Sequence, residues 1–207
     1  MNKEKLILLK KLGVNRLSIG IQSFNDDDLK FMNRSHNTNQ AIESVQLAKK
    51  LGFNNISIDL IYSLPNQSTK KWRKNLEIAF SLNIQHISSY SLTIEENTQL
   101  FHLIKTKKLK ELDEETSSEH FNLLLKESQK NGFIQYEISN FGRKGYFSKH
   151  NSSYWLGKSY LGIGPSAHSY NGESRSWNVS NNKKYIEMIS ENKLPSEIEV
   201  LTENQKY

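Results

Sequence analysis

A strand period that repeatedly gives way to a helix period is the feature that most limits how this chain can fold. From Arg16 to Gln22, the apolar Leu17, Ile19 and Ile21 alternate with Ser18, Gly20 and Gln22, the two-residue repeat of an extended chain. Asn25 or Asp26 can cap a short helix running toward Arg34. Thr38 can cap a second helix with Ala41, Ile42, Val45, Ala48 and Leu51 on one face, closed by Gly52. The order then recurs: residues 55–61 read as a strand, 68–82 as a helix and 85–93 as a strand. Strands alternating with helices join in parallel through crossovers, so the fold class is α/β. Residues 1–11 read as a helix stopped by Gly13, not as a signal peptide, because they lack an uninterrupted apolar core and a small-residue cleavage site.

One face of these strands is not apolar. A sheet covered by helices on both sides needs two apolar faces. Here Leu17, Ile19, Ile21 and Ile56, Ile58, Leu60 form one apolar set, whereas Ser18, Gly20, Gln22, Ser57 and Asp59 form a small or polar one. Ser89, Ser91 and Thr93 are expected to continue the polar face in the third strand. Such a face suits a barrel whose interior holds a ligand. Gln22, Asp59 and Thr93 fall at strand C-terminal ends, where barrels carry their chemistry. Ordinary strand-end polarity would produce the same pattern.

After Thr93 the alternation stops. Residues 98–107 and 114–131 read as helices, and beyond Gly132 the chain is rich in Gly, Tyr, Trp, Ser and His. The expected division is residues 1–109 as three βα units of a partial barrel and 110–207 as an α+β, substrate-facing subdomain. The formal net charge is +6, but only five basic residues are Arg (Arg16, Arg34, Arg73, Arg143 and Arg175). Arg is the side chain that grips phosphates and bases bidentately. The Lys residues are dispersed over helix faces, so no nucleic-acid partner is expected. No apolar run approaches the roughly 20 residues of a membrane span. The chain has no cysteine, which excludes disulfides and any thiolate-held metal or cluster within these 207 residues.

Three segments carry a family resemblance by their order and spacing: Asn15-Arg16-Leu17-Ser18-Ile19-Gly20-Ile21-Gln22-Ser23-Phe24, Ile58-Asp59-Leu60-Ile61-Tyr62-Ser63-Leu64-Pro65 followed by Gln67-Ser68, and Tyr90-Ser91-Leu92-Thr93-Ile94-Glu95. It continues through Tyr136-Glu137-Ile138-Ser139-Asn140-Phe141, His150-Asn151-Ser152-Ser153-Tyr154-Trp155, Tyr160-Leu161-Gly162-Ile163-Gly164 and Ala167-His168-Ser169. Together these resemble the oxygen-independent coproporphyrinogen III oxidase-like family of radical S-adenosylmethionine (SAM) proteins. The resemblance implies the C-terminal half of a partial TIM-like radical SAM barrel. It also implies SAM contacts at Gln22, Arg34 and Asp59, with Thr93 where the next strand approaches the ligand. Asp59 and Gln22 can bond ribose hydroxyls or an amino group, and Arg34 can fork onto a carboxylate. The family usually has Gly where Ser63 stands. Its [4Fe–4S] cluster is held by a CxxxCxxC loop that this chain lacks, so the chain is expected to be a fragment, truncated at its C-terminus, and to have a cluster only in its full-length parent.

His150-Asn151-Ser152-Ser153-Tyr154-Trp155 matches the HNxxYW motif of the family's heme chaperone branch. On its own, one His beside two aromatics reads as a hydrogen-bonded structural histidine. The resemblance implies instead a heme site at His150, Asn151, Tyr154 and Trp155, with His150 on the iron and flat aromatic faces for the macrocycle. His168 is the weaker ligand candidate. The implied function is a cytoplasmic heme chaperone that binds heme or porphyrin, serves a client hemoprotein and associates peripherally with membrane-bound clients. The alternative is the oxidase itself, decarboxylating coproporphyrinogen through SAM radical chemistry.

Overall fold

The computed structural model describes residues 2–96, 98–110 and 113–206. The chain divides into two compact units, residues 1–147 and 148–207. The first unit contains α1 (Lys3–Lys11), β1 (Arg16–Gln22), α2 (Asp26–Phe31), α3 (Thr38–Lys50), β2 (Asn55–Tyr62), α4 (Thr69–Ser81), β3 (His86–Ser91), α5 (Gln99–Lys105), α6 (Glu114–Lys130), β4 (Ile134–Gln135) and β5 (Asn140–Gly142). Met1 lies outside the described residues.

Local capping sets the helix starts. Asn25 caps α2, accepting from the Asp27 and Asp28 amides. Helix α3 is capped by Asn37, whose box is closed by Gln40, and not by Thr38 as the sequence suggested. Thr38 is instead tied through its amide and hydroxyl to the Asp26 carboxylate, at 2.8 and 2.7 Å, which lowers the Asp26 pKa. Ser68 caps α4.

The first sheet runs β1-β2-β3-β5-β4. Strands β1, β2 and β3 are parallel, and β5 closes antiparallel on β3 with Phe141 opposite Ile87. The apolar strand residues Leu17, Ile21, Ile56, Ile58, Leu60 and Ile87 pack against Val45, Ala48, Trp72, Leu76 and Leu124 from the helices. Trp72 is fully buried, lies 5.6 Å from the Tyr62 ring and donates from Nε1 to the His120 carbonyl at 2.9 Å.

Two expectations differ from what is observed. The compact first unit extends through α6, β4 and β5 to residue 147, past the division expected at 109/110, because β5 pairs with β3 and α6 packs on α4. In addition, β3 pairs His86 with Ser57, Ser88 with Asp59 and Tyr90 with Ile61, so the residues sharing the polar face are His86, Ser88 and Tyr90. Ser89 and Ser91 point to the helix side, where the Ser91 hydroxyl lies 3.4 Å from that of Ser117 on α6. Thr93 lies two residues past the strand and is exposed.

The second unit contains α7 (Lys149–Trp155), β6 (His168–Tyr170), β7 (Ser174–Asn178), α8 (Asn182–Ser190) and β8 (Ser196–Val200), followed by a 3₁₀ turn at Glu203–Gln205. Its antiparallel sheet has the order β6-β7-β8, and Tyr160 bridges Tyr170 at the edge. The loop into β6 passes so close to it that a Cβ on Gly162 would sit 2.2 Å from the His168 carbonyl oxygen. Only Gly fits there.

Candidate functional site

The polar face of the first sheet gathers two of the expected SAM contacts. Strand β1 loses its register between Gly20 and Gln22, and Gln22 takes a left-handed backbone with φ 70°. The side chain folds back over Gly20: a Cβ there would lie 2.8 Å from Gln22 Nε2. Gly20 is the parallel partner of Asp59, so the Gln22 amide and the Asp59 carboxylate share one face near the C-terminal end of the sheet. Asp59 accepts from the Ser18 hydroxyl at 3.2 Å.

The loop that carries Gln22 forward is fixed from beneath. Asp28 is buried and accepts from Ser23 Oγ at 2.8 Å and from Gln67 Nε2 at 3.1 Å. Asn75 Oδ1 accepts from the Phe24 amide at 2.5 Å, while its Nδ2 donates to Ser23 Oγ at 3.1 Å. His36 Nε2 meets the Ile21 carbonyl oxygen at 3.0 Å, which docks the turn carrying Arg34 beside β1. Arg34 is exposed; its amide donates to the Leu29 carbonyl at 2.9 Å, and its guanidinium has no hydrogen-bond partner among the described residues. These supporting residues were not singled out from the sequence, because their contacts join positions up to 52 residues apart. The Asn25 cap followed by Asp28 was their only local signal.

Lower on the same face lies a buried network that the sequence did not reveal. His86 Nδ1 meets Ser57 Oγ at 2.7 Å and Nε2 meets the Tyr136 hydroxyl at 2.7 Å. Tyr136 stacks on Phe147 at 4.5 Å between ring centroids. Arg16 donates to Asn55 Oδ1 at 2.7 Å and to the Tyr146 carbonyl at 3.2 Å. Burial, aided by the Arg16 charge, lowers the His86 pKa to about 3, so the imidazole is neutral and uses one nitrogen to donate and one to accept.

In the second unit, Ser148 caps α7 by accepting from the Asn151 amide at 3.3 Å, so Asn151 contributes its backbone to the cap. His150 and Tyr154 stand one turn apart, with Nε2 3.1 Å from the Tyr154 hydroxyl and the rings edge to face at 5.0 Å. Tyr154 continues to Tyr160 at 4.7 Å, and Tyr160 to Tyr170 at 6.1 Å. Trp155 is 60% exposed. His168 is exposed on β6, 6.4 Å from the Trp177 ring. Thus the expected heme residues His150, Tyr154 and Trp155 do cluster on one short helix.

With this geometry in view, residues 1–79 match the radical SAM superfamily profile. The chain belongs to the radical SAM superfamily. Within it, the chain is similar to the heme chaperone HemW of Bacillus subtilis, 40% identical over 207 residues, which are 99% of this chain and 55% of that protein. It is also 41% identical over 156 residues to the mitochondrial radical S-adenosyl methionine domain-containing protein 1 of Danio rerio, covering 75% of this chain and 35% of that protein. The fold matches coproporphyrinogen III oxidase (HemN) of Escherichia coli, a radical SAM enzyme, with a TM-score of 0.80 at 22% identity, over 98% of this chain and 49% of that one. The chain thus spans about half the length, or less, of these relatives.

The family implies SAM and a [4Fe–4S] cluster. The cluster does not fit the residues present: there is no cysteine, and among the described residues no three His, Cys, Asp or Glu side chains gather to hold a metal. SAM does fit. The Gln22 amide has no hydrogen-bond partner among the described residues, and the Asp59 carboxylate is only singly bonded beside it, as a ligand bearing hydroxyl and amino groups requires. Among the described residues, no helix is long and apolar enough to cross a membrane.

Proposed function

We propose that this chain provides the heme-holding surface of a cytoplasmic heme chaperone that passes heme to client hemoproteins. The observation that carries the reading is the surface of α7, where His150, Tyr154 and the exposed Trp155 stand together. Aromatic area left in water on a short helix is available to a planar ligand at no cost to the core. Among the described residues His150 Nδ1 has no partner, so it can reach a metal without breaking the bond to Tyr154. The similarity to HemW supports the same reading.

SAM would be held at the first unit's polar face by Gln22 and Asp59, with Arg34 and Thr93 as the further contacts that the family resemblance implies. When bound with a cluster, SAM supplies radical chemistry. This chain's own residues orient it: the Asp28–Ser23–Asn75 network holds the loop, and Gln22 is set over Gly20.

Heme titration followed at the Soret band tests the proposal. The wild type binds, and His150→Ala weakens or abolishes binding. Trp155→Ala weakens it by about 1–3 kcal/mol through lost apolar contact, with the melting temperature unchanged because the ring is outside the core. Identical titrations of wild type and His150→Ala remove His150 as ligand. Absence of heme binding, together with SAM-dependent consumption of coproporphyrinogen by the full-length protein, replaces the chaperone with the oxidase.

A further inference from the structure

A second feature of the aromatic unit specifies what kind of planar ligand it suits. A cleft of ≈ 510 Å³ is walled by Tyr154, Trp155, Tyr160 and Tyr170, and its lining includes two cations, Arg175 and Lys206. Arg175 is exposed, and its guanidinium has neither an ion pair nor a hydrogen bond among the described residues. Its cross-strand neighbour Glu199 accepts from Gln205 Nε2 at 3.3 Å instead. Among the described residues the Lys206 ammonium meets only Glu203, at 2.8 Å. That contact is a surface pair between side chains three residues apart, the kind worth little when a competing anion arrives.

We infer that this cleft recognises the carboxylates of a tetrapyrrole: Arg175 and Lys206 bind the ring's acidic side chains while the tyrosines and Trp155 cover its flat face. The inference rests on the heme reading above and adds the basis of its selectivity. An aromatic cleft without cations would accept any flat apolar ring. A guanidinium with free donors forks onto a carboxylate in two parallel hydrogen bonds, and an ammonium adds a point charge. The combination favours a flat dianionic ring over a neutral or cationic one.

The experiment compares heme with its dimethyl ester, in which both carboxylates are capped, and repeats the comparison with metal-free protoporphyrin and its ester by fluorescence. The wild type is expected to bind each diacid about tenfold or more tightly than its ester. Arg175→Gln and Lys206→Gln each reduce diacid binding and leave ester binding unchanged, while Arg175→Lys retains part of the preference. Arg175 is exposed, so its variants are expected to melt as the wild type does. Equal binding of diacid and ester by a wild type that binds heme overturns this inference and leaves the heme reading standing. So does an Arg175→Gln variant that keeps the full preference. A wild type that binds neither heme nor protoporphyrin overturns both.

Discussion

Ser63 carries a cost that its family relatives are expected to avoid with Gly. Its φ of 61° is left-handed, and its buried hydroxyl lies 2.8 Å from that of Ser117 on α6. A Cβ in that conformation costs on the order of 1 kcal/mol, an amount comparable to the hydrogen bond it makes. Ser63→Ala keeps the strain and loses the bond. Ser63→Gly loses the bond but relieves the strain, so it is expected to exceed the Ala variant by about 1 kcal/mol in urea unfolding. His86 sets a pH dependence. Its folded pKa of about 3 is below the ordinary 6.5, so between these values the unfolded chain holds a proton that the folded one refuses. Stability is therefore present above about pH 6.5 and declines as pH falls toward 3, by up to about 1.4 kcal/mol per pH unit for this one proton. The buried His120 is shifted downward by desolvation and acts in the same sense. Denaturant unfolding of His86→Gln across this range is expected to show a slope shallower by one proton; an unchanged slope assigns the effect elsewhere.

At the scale of elements, α4 and the loop into β6 bear the clearest loads. Trp72 on α4 touches Tyr62 of β2 and is bonded to α6 through the His120 carbonyl, so one side chain joins a strand and two helices. Trp72→Ala is expected to destabilise the first unit by about 3–5 kcal/mol, read from its unfolding free energy. In the second unit, Gly162→Ala drives a methyl into the backbone of β6, where no flexible side chain can yield. Its expected outcome is loss of the Gly162 amide bond to Ser169 Oγ and earlier melting of that unit, followed by near-UV circular dichroism of its tyrosines and tryptophans. Helix α7 behaves differently. Its aromatic residues are exposed, so substitutions there change binding before they change stability.

For the whole molecule, composition decides one matter outright. With no thiolate, the 207-residue chain reconstituted anaerobically with iron and sulfide is expected to retain no stoichiometric [4Fe–4S] cluster, measured as protein-bound iron and sulfide. Stoichiometric retention would show that other residues ligate it. Under the proposed function the units would divide the chemistry: the parallel sheet presents Gln22 and Asp59, and the antiparallel unit presents α7 and its aromatic cleft.

The amino-acid sequence by itself determined the alternation of β1, α3, β2, α4 and β3, because two-residue and 3.6-residue apolar periods are local properties of the chain. It also determined that these residues offer no thiolate to a cluster, and the gathering of His150 and Tyr154, which lie four apart on one helix. Tertiary structure alone decided that residues 134–142 join the first sheet, since β5 pairs with a strand some 50 positions earlier. It decided the register of β3 on β2, where Ile87 pairs with Ile58 and Ser89 with Leu60, so that Ser89 and Ser91 lie on the helix side. The turning of Gln22 over Gly20 and the neutral His86 between Ser57 and Tyr136 also required the fold. Each depends on which distant backbone or side chain closes the remaining hydrogen bonds, and no local period records that partner.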